Sequence, residues 1–242
     1  MERNVYNNMR VIERDHWWFR GRRAILQDQL SRLALSEGSR ILEVGSGTGG
    51  NLKMLARFGH VTGMEPDGES RAFAETQTGI DVLSGLLPHA LPAFGWSFDL
   101  IAALDVIEHL EEDQASVTAL AGLLKPGGWM LTTVPAHPWL WSSHDVVHHH
   151  KRRYRKADYL ALFANAGLEV VKVSYFNSAL FPLIALLRLA KFGRESGRGD
   201  DALPPGPANA LLARLFAAER LPLRMIGLPF GVSLLVVARR PL

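Results

Sequence analysis

The chain has 242 residues, 48% of them hydrophobic, so it is long enough and apolar enough to bury a sizeable core. It contains no cysteine, which excludes disulfides, a thiolate nucleophile and cysteine-ligated zinc, and it carries a formal charge of only +3. That charge is too small to indicate nucleic-acid binding, and the absence of cysteine is typical of a reducing compartment.

The sequence shows no targeting or membrane-spanning segment. The N-terminal stretch MERNVYNNMRVIERDHWW is charged and lacks the apolar run of a signal peptide. The longest apolar run, residues 176–187, contains Pro182 and is closed by Arg188, which leaves it short of the roughly 20 residues that span a membrane. We therefore expect a cytoplasmic protein, and contact with a membrane surface stays open.

Short apolar strands alternate with helices after an initial helical pattern over residues 1–35. This alternation predicts parallel βαβ units in a doubly wound, mostly parallel, seven-stranded α/β sheet, with the functional sites at the carboxyl ends of the strands. The predicted strands are 40–44, 60–65, 80–85, 98–104, 129–135, 168–176 and 231–240. The helices predicted between them are 51–59, 68–79, 113–124 and 156–167.

The pattern divides the chain into one core with two additions. Residues 1–39 form a helical N-terminal cap, residues 40–176 form the Rossmann-like core, and residues 229–242 supply its final strand. Between them, residues 177–228 are far too long for a hairpin connection and predict a helical insertion. Its Gly-, Pro- and charge-rich part, residues 193–207, is expected to be flexible.

The insertion contains two apolar helical stretches, predicted as residues 178–192 and 207–226. We expect them to form a lid over an acceptor pocket. Their apolar faces leave four interpretations open: packing on the core, lining an apolar acceptor site, resting on a bilayer surface through residues 177–192, or forming a dimer interface. The protein is accordingly expected to be a monomer or a homodimer.

The glycine-rich stretch RILEVGSGTGGNL fits two spacings at once. Gly45, Gly47 and Gly50 give the G-x-G-x-x-G fingerprint of dinucleotide-binding enzymes. Glu43, Gly45, Gly47 and Gly49 instead give an acid-x-G-x-G-x-G pattern. Both patterns use glycine to let the backbone turn tightly and approach a ligand, so the loop alone does not identify the cofactor.

Two later stretches favour the second pattern. FDLIAALDVIEHL, residues 98–110, and LLKPGGWMLTTVP, residues 123–135, resemble the later motifs of class I S-adenosylmethionine (SAM)-dependent methyltransferases. Two further features favour the second pattern. The acid Glu43 lies inside the first strand, and a long helical region precedes that strand; the dinucleotide fingerprint requires neither. The resemblance covers residues 40–135 and implies SAM as the cofactor and S-adenosylhomocysteine (SAH) as its product.

The resemblance implies cofactor contacts at the carboxyl ends of the first four strands. The loop glycines face the methionine and ribose, the acid of the first strand organises the methionine amine, and the acid ending the second strand binds the ribose hydroxyls. For Leu86, packing in the core is an equal alternative. The implied residues are Glu43, Gly45, Ser46, Gly47, Gly49, Asn51, Glu65, Pro66, Gly85, Leu86, Asp105 and Val106.

The N-terminal stretch HWWFRGRR, residues 16–23, resembles a segment of a bacterial methyltransferase subgroup. The resemblance implies that this helix caps the SAM site, with Trp17, Trp18, Arg20 and Arg22 as wall residues and Arg22 at the SAM carboxylate. Core packing of the two tryptophans is the alternative.

DVIEH supplies the first candidate for a catalytic base. The i, i+3, i+4 spacing places Asp105, Glu108 and His109 on one face of a helix or turn. This grouping resembles a segment of ubiquinone-biosynthesis O-methyltransferases, where it is expected to bind a divalent cation. Here metal binding, a base or SAM-shell role for His109, and structural hydrogen bonding all stay open.

The stretch SSHDVVHHHKRRYR supplies the second candidate. Its histidines, with Asp145, favour either a solvated loop rim, a substrate or base role, or a metal site. We predict His109, His144 and His150 as candidate bases and no metal.

Two arginine-rich clusters, RGRR and KRRYRK, predict solvated faces or recognition of an anionic substrate group. We therefore predict methyl transfer to an oxygen or nitrogen of a small, apolar or lipid-linked acceptor that carries an anionic group. DNA is not expected as a partner. An RNA-directed methyltransferase, a non-catalytic SAM-binding protein and an NAD-dependent enzyme are the alternatives.

Overall fold

The computed structural model describes residues 9–190 and 204–242. Its strands are β1 (Arg40–Val44), β2 (His60–Met64), β3 (Val82–Leu83), β4 (Phe98–Leu104), β5 (Leu124–Pro135), β6 (Glu169–Phe176) and β7 (Ser233–Arg239). Its helices, after a helical turn at residues 9–12, are α1 (Trp17–Leu30), α2 (Leu52–Leu55), α3 (Gly68–Thr78), α4 (Asp113–Leu123), α5 (Ser143–Val147), α6 (Lys156–Asn165), α7 (Phe181–Ala190), α8 (Gly206–Ala218) and α9 (Arg220–Met225).

The strands form one seven-stranded sheet in the order β3-β2-β1-β4-β5-β7-β6. The pairs β3–β2, β2–β1, β1–β4 and β4–β5 are parallel, whereas β7 runs antiparallel to both β5 and β6. The predicted doubly wound, mostly parallel sheet is therefore confirmed. Because the parallel strands share one direction, the segments that follow β1, β2, β4 and β5 meet at a single edge of the sheet.

Three predicted boundaries are wrong. Helix α2 keeps only four residues of the predicted 51–59, because the chain turns tightly after it, with the Phe58 amide donating to the Leu55 carbonyl at 2.9 Å. Strand β3 shrinks to Val82–Leu83. Strand β5 starts at Leu124 instead of residue 129, because Leu124 pairs with Phe98 ahead of a register shift that contains the KPGG segment.

Each face of the sheet carries its own helical layer. On one face, α4 and α6 bury Val117, Leu120, Tyr159 and Phe163 in a single apolar cluster. On the other face, α1 buries Ile25, Leu26 and Leu30, and the insertion adds Phe216 of α8 and Leu223 of α9 to the same cluster.

The two helical stretches of the insertion differ in what they contact. Phe216 of α8 is fully buried and stacks on Phe176 at 6.0 Å between ring centroids, so this stretch packs on the core. Helix α7 instead exposes its leucines 183, 186, 187 and 189. Residues 191–203 lie outside the described residues, and so does most of the segment predicted to be flexible. Its last two residues are the first of α8.

The division into cap, core and insertion stays a prediction. Among the described residues, no helix is long and apolar enough to cross a membrane.

Candidate functional site

The loop after β1 is built from glycines with left-handed backbone. Gly45, Gly47 and Gly49 have φ values of 63°, 52° and 87°, a region that residues with a side chain rarely adopt. A Cβ on Gly45 would lie 2.7 Å from Val106, which follows β4, whereas the space in front of Gly47 is open. The loop therefore holds the ends of β1 and β4 together and leaves an accessible backbone surface at Gly47.

Glu13, before α1, lies against this loop and was not predicted. Its carboxylate accepts a hydrogen bond from the Thr48 hydroxyl, and a Cβ on Gly50 would overlap its carboxyl group. Burial raises the pKa of Glu13, although the Thr48 hydrogen bond and the charge of Arg22 oppose this rise. Gly50, which completes the dinucleotide fingerprint in the sequence, is therefore required here for the close approach of Glu13.

Glu65, which follows β2, joins the glycine loop to the next turn. Its carboxylate accepts from the Gly47 amide at 3.0 Å and from the Asp67 amide at 3.1 Å. Only 4% of its surface is exposed, and the adjacent Pro66 is exposed. The predicted ribose-binding acid is thus placed directly beside the open face of Gly47.

A polar chain connects β1 with α1 behind the loop. Asn51 donates to Glu43 Oε1 at 2.9 Å and lies 3.5 Å from the Arg22 guanidinium, which also pairs with Asp105. Burial raises the pKa of Glu43 to about 8. Arg22 is buried too, and its guanidinium lies 4.6 Å from the centre of the Trp18 ring.

Two atoms of this hydrogen-bonded network of Glu43, Asn51 and Arg22 lack hydrogen-bond partners. Within residues 9–190 and 204–242, neither Glu43 Oε2 nor Arg22 Nε is satisfied, although both are buried. A buried acceptor and a buried donor without partners are uncommon in folded proteins, and they are typical of a site that a ligand completes.

The structure separates the remaining predicted wall residues. Trp17 packs edge-on against Phe216 with ring centroids 5.8 Å apart, which supports the core-packing alternative for this side chain, and Arg20 is exposed. Leu86 is 55% exposed and forms an isolated bridge with Ala90, which excludes the core-packing alternative for this side chain. At Gly85 a Cβ would overlap the Met64 sulfur, so this turn lies close to the end of β2.

The predicted helical face of Asp105, Glu108 and His109 does not form, and Asp105 is the residue that departs from it. Asp105 has φ 58°, and residues 107–109 form a 3-10 turn, so no helical face develops and Asp105 pairs with Arg22. Glu108 is fully buried, both of its oxygens lack a partner among the described residues, and burial and the charge of Asp105 raise its pKa.

His150 takes the place beside Glu108 and His109 that was predicted for Asp105. Its ring centroid lies 4.7 Å from that of His109, and its Nδ1 is 2.8 Å from an oxygen of the fully buried Asp145. His144 and His148 lie near it, with their rings tilted by 35° and their centroids 4.2 Å apart. Apart from the exposed His149, the histidines of this segment (the histidine loop, residues 136–155) are therefore partly buried, not a solvated rim.

Ligand atoms of Glu108, His109 and His150 lie within 4.8 Å of one another, a spacing that a metal ion could bridge. Burial and the neighbouring His150 lower the pKa of His109 to about 3, so this imidazole is neutral near neutral pH. Because burial and the charge of Asp105 raise the pKa of Glu108, a cation bound here would have to displace the proton of that carboxyl group.

Three basic residues of the cluster KRRYRK form ion pairs within the protein. Lys151 contacts Glu111 at 2.7 Å, and Arg152 contacts Asp113 at 2.7 Å. Arg153 is buried and binds Asp145. These three residues therefore stabilise the histidine loop, whereas Arg155 and Lys156 are exposed.

Comparison with known proteins identifies the family. A model described as a methyltransferase domain matches residues 18–173, more than half of the chain. The chain belongs to this methyltransferase family. It is 31% identical over 166 residues to the ubiquinone biosynthesis O-methyltransferase of Xylella fastidiosa, a match that covers 61% of this chain and 68% of that relative.

Solved structures show the same fold. A SAM-dependent methyltransferase from Mesorhizobium loti superposes with a TM-score of 0.59 at 18% identity, covering 89% of this chain and 96% of that one. The Haemonchus contortus phosphoethanolamine N-methyltransferase 2 in complex with SAM gives 0.61 at 17% identity, covering 90% of this chain and 52% of that one. The protein is a class I SAM-dependent methyltransferase, as the motifs predicted, and SAM is its cofactor.

Gly50→Ala is expected to lower the free energy of unfolding by about 1–3 kcal/mol, because the new Cβ forces Glu13 out of its buried position. In a Glu13→Ala background the same change should cost distinctly less, since the overlapping carboxyl group is gone. Chemical denaturation measures both. Gly38→Ala, where a Cβ meets nothing within 4 Å, is the matched control. An equal cost in the two backgrounds would show that Glu13 does not occupy this position.

Proposed function

We propose that this methyltransferase transfers the methyl group of SAM to a hydroxyl oxygen of a small acceptor held beside the histidine loop, with His150 as the general base. The observation that carries the proposal is the placement of His150. It is hydrogen-bonded to a buried carboxylate and lies beside Glu108 and His109, which directly follow β4 at the same sheet edge as the glycine loop. A hydroxyl is favoured because relatives such as the Xylella fastidiosa ubiquinone biosynthesis enzyme are named as O-methyltransferases.

The two unsatisfied atoms behind the glycine loop fit the methionine part of SAM. Arg22 Nε is a donor on a cation and suits a carboxylate, whereas Glu43 Oε2 is an acceptor that suits an ammonium group. Both belong to residues joined through Asn51, so they offer the paired charges that an amino-acid zwitterion requires. Glu65, beside the open face of Gly47, is the residue proposed to bind the ribose hydroxyls.

When bound, SAM supplies an electrophilic methyl group on a sulfonium. The chain then has two tasks: to align the acceptor oxygen for in-line attack and to remove its proton. Alignment of reacting groups contributes about 7–11 kcal/mol in favourable systems. A positioned base adds roughly 10²–10⁴ in rate. His150 suits the second task, because its burial lowers the pKa and keeps the imidazole neutral, although the hydrogen bond with Asp145 opposes this shift.

The surroundings of the histidine loop favour an apolar acceptor with an aromatic ring. His137 stacks parallel to Tyr175 with centroids 5.1 Å apart, and Trp139 and Phe181 lie edge-on to each other at 6.1 Å. Next to them, α7 exposes its leucines, which we assign to contact with a lipid part of the acceptor or with a membrane surface.

Gly47→Arg and Glu65→Ala are each expected to abolish detectable SAH binding, the first by filling the open space and the second by removing the proposed ribose acceptor. Isothermal titration calorimetry measures the affinity, and Glu37→Ala, an exposed acid far from the loop in sequence, should bind like the unaltered protein. Retained SAH binding in both site variants would place the cofactor elsewhere.

Binding of SAM at about pH 7 is expected to release a proton from Glu43, whose pKa of about 8 keeps it protonated in the free protein. The ammonium group favours the ionised carboxylate and so lowers this pKa. Calorimetry in phosphate and in Tris, which differ in ionisation enthalpy, counts the protons. The release should vanish in Glu43→Gln and well above the free pKa. The same raised pKa makes the folding stability of the free protein depend on pH. Protonated Glu43 contributes to the free energy of unfolding, and this contribution is lost as the pH rises through about 8.

Protocatechuate is a suitable test acceptor, because it combines hydroxyls, an aromatic ring and a carboxylate. We expect SAH formation that falls by about 10²–10⁴ in His150→Ala while the affinity for SAM stays unchanged. His149→Ala, an exposed neighbour, is the control, and EDTA should have no effect. Unchanged turnover in His150→Ala would show that His150 is not the base. Sensitivity to EDTA would favour a metal ion at Glu108. Methylation of RNA in place of protocatechuate would favour an RNA-directed methyltransferase.

A further inference from the structure

Asp145 is the single acidic residue of the histidine loop, and its carboxylate is extensively hydrogen-bonded. It is fully buried, and it accepts from His150 Nδ1 at 2.8 Å, from Arg153 Nε at 2.7 Å and from the Ser142 amide at 2.8 Å. Arg188 of α7 lies 3.8 Å from its second oxygen. Burial opposes ionisation, but the hydrogen bond from His150 and the charge of Arg153 outweigh it and lower the pKa of Asp145.

An ionised Asp145 fixes the tautomer of His150. A carboxylate only accepts hydrogen bonds, so the ring nitrogen that faces it, Nδ1, carries the proton. In a neutral imidazole the other nitrogen, Nε2, then holds a free electron pair. The ring is also held in place, because only 7% of its side chain is exposed.

Within the part of the chain that the structure describes, Asp145 is the carboxylate that pairs with this ring. His109 lies 4.7 Å away, His148 5.9 Å and His144 6.1 Å between centroids, and Glu108 is the buried acid with the raised pKa. None of these groups offers an ionised carboxylate at hydrogen-bonding distance from Nδ1. A positive charge that forms on His150 is therefore stabilised chiefly by Asp145.

Asp145 is itself rigidly placed. Arg153, which binds it, also donates to the Ala136 carbonyl just beyond β5 at 3.2 Å, and the Lys151 amide donates to the Glu108 carbonyl at 2.7 Å. Arg188 additionally donates to the Leu140 carbonyl. The carboxylate is thus anchored to the sheet edge on one side and to α7 on the other.

From this arrangement we infer that Asp145 is the positioning residue of the reaction, which holds His150 with Nδ1 protonated and Nε2 directed to accept the proton of the acceptor hydroxyl. The inference rests on the proposed function. In the step, the acceptor oxygen forms a bond to the methyl carbon as the carbon–sulfur bond breaks and the sulfonium becomes a thioether. The hydroxyl proton moves to Nε2, and the imidazolium pairs with Asp145 until the proton passes to solvent.

Asp145→Asn tests this inference, because asparagine keeps the shape but can donate to Nδ1 and so favours the opposite tautomer. We expect kcat with protocatechuate to fall by about 10²–10⁴, with KM for SAM within about twofold. Asp113→Asn is the matched control, because Asp113 also binds an arginine of this loop but does not touch His150, and its turnover should stay near that of the unaltered protein.

Nitrogen-15 NMR of the His150 ring is the second readout and needs no acceptor. The unaltered protein should show a protonated Nδ1, and Asp145→Asn should shift the proton toward Nε2. A proton on Nε2 in the unaltered protein overturns the inference, and this result does not require Asp145→Asn to fold. Full turnover in Asp145→Asn overturns it as well. If the unaltered protein shows the expected tautomer but methylates neither protocatechuate nor related hydroxyls, the proposed reaction fails, not the tautomer assignment.

Discussion

The burial of several acids around one guanidinium at the carboxyl edge of the sheet is the constraint on which this site depends. Glu13, Glu43, Glu65 and Glu108 are all less than 9% exposed, and Arg22 is the buried cation among them. Burying an unpaired charge is costly, so the free protein keeps part of this set protonated, as the raised pKa values of three of the four show. A cofactor that brings a cationic group suits such an edge, because that group favours the ionised form of a buried acid.

A second ion-pair centre surrounds Asp145 in the histidine loop. Asp145 joins the histidine loop to the end of β5 through Arg153 and to α7 through Arg188. The start of α1 has its own link to the insertion, because Asn209 of α8 accepts from the Trp17 amide at 2.7 Å and donates to the Asp15 carbonyl at 2.8 Å. The two helical parts of the insertion therefore contact different segments: α8 contacts the start of α1, and α7 contacts the histidine loop.

The sequence predicted what local patterns encode. Apolar runs between glycines located the seven strands, and the glycine spacing located the tight loop with left-handed backbone after β1. Contacts between distant segments left no such signal: the approach of Glu13 to Gly50, the pairing of Arg22 with Asp105 and the turn that breaks the DVIEH grouping all depend on tertiary packing. The apolar faces of the insertion were ambiguous for the same reason, because a helix that covers a core and one that covers a pocket share one periodicity.

The two centres together suggest how charge is managed during methyl transfer. In the proposed reaction, loading of a cationic cofactor replaces a proton on Glu43, so the edge around Glu43 need not hold more positive charge than before. Methyl transfer in this proposal removes the sulfonium charge, and an equal charge arises on His150 as the acceptor hydroxyl loses its proton. Asp145 is already ionised and hydrogen-bonded to that ring, so little reorganisation accompanies the new charge. In this proposal the positive charge therefore moves from the glutamate-lined edge to the His150 ring, where the ionised Asp145 stabilises it.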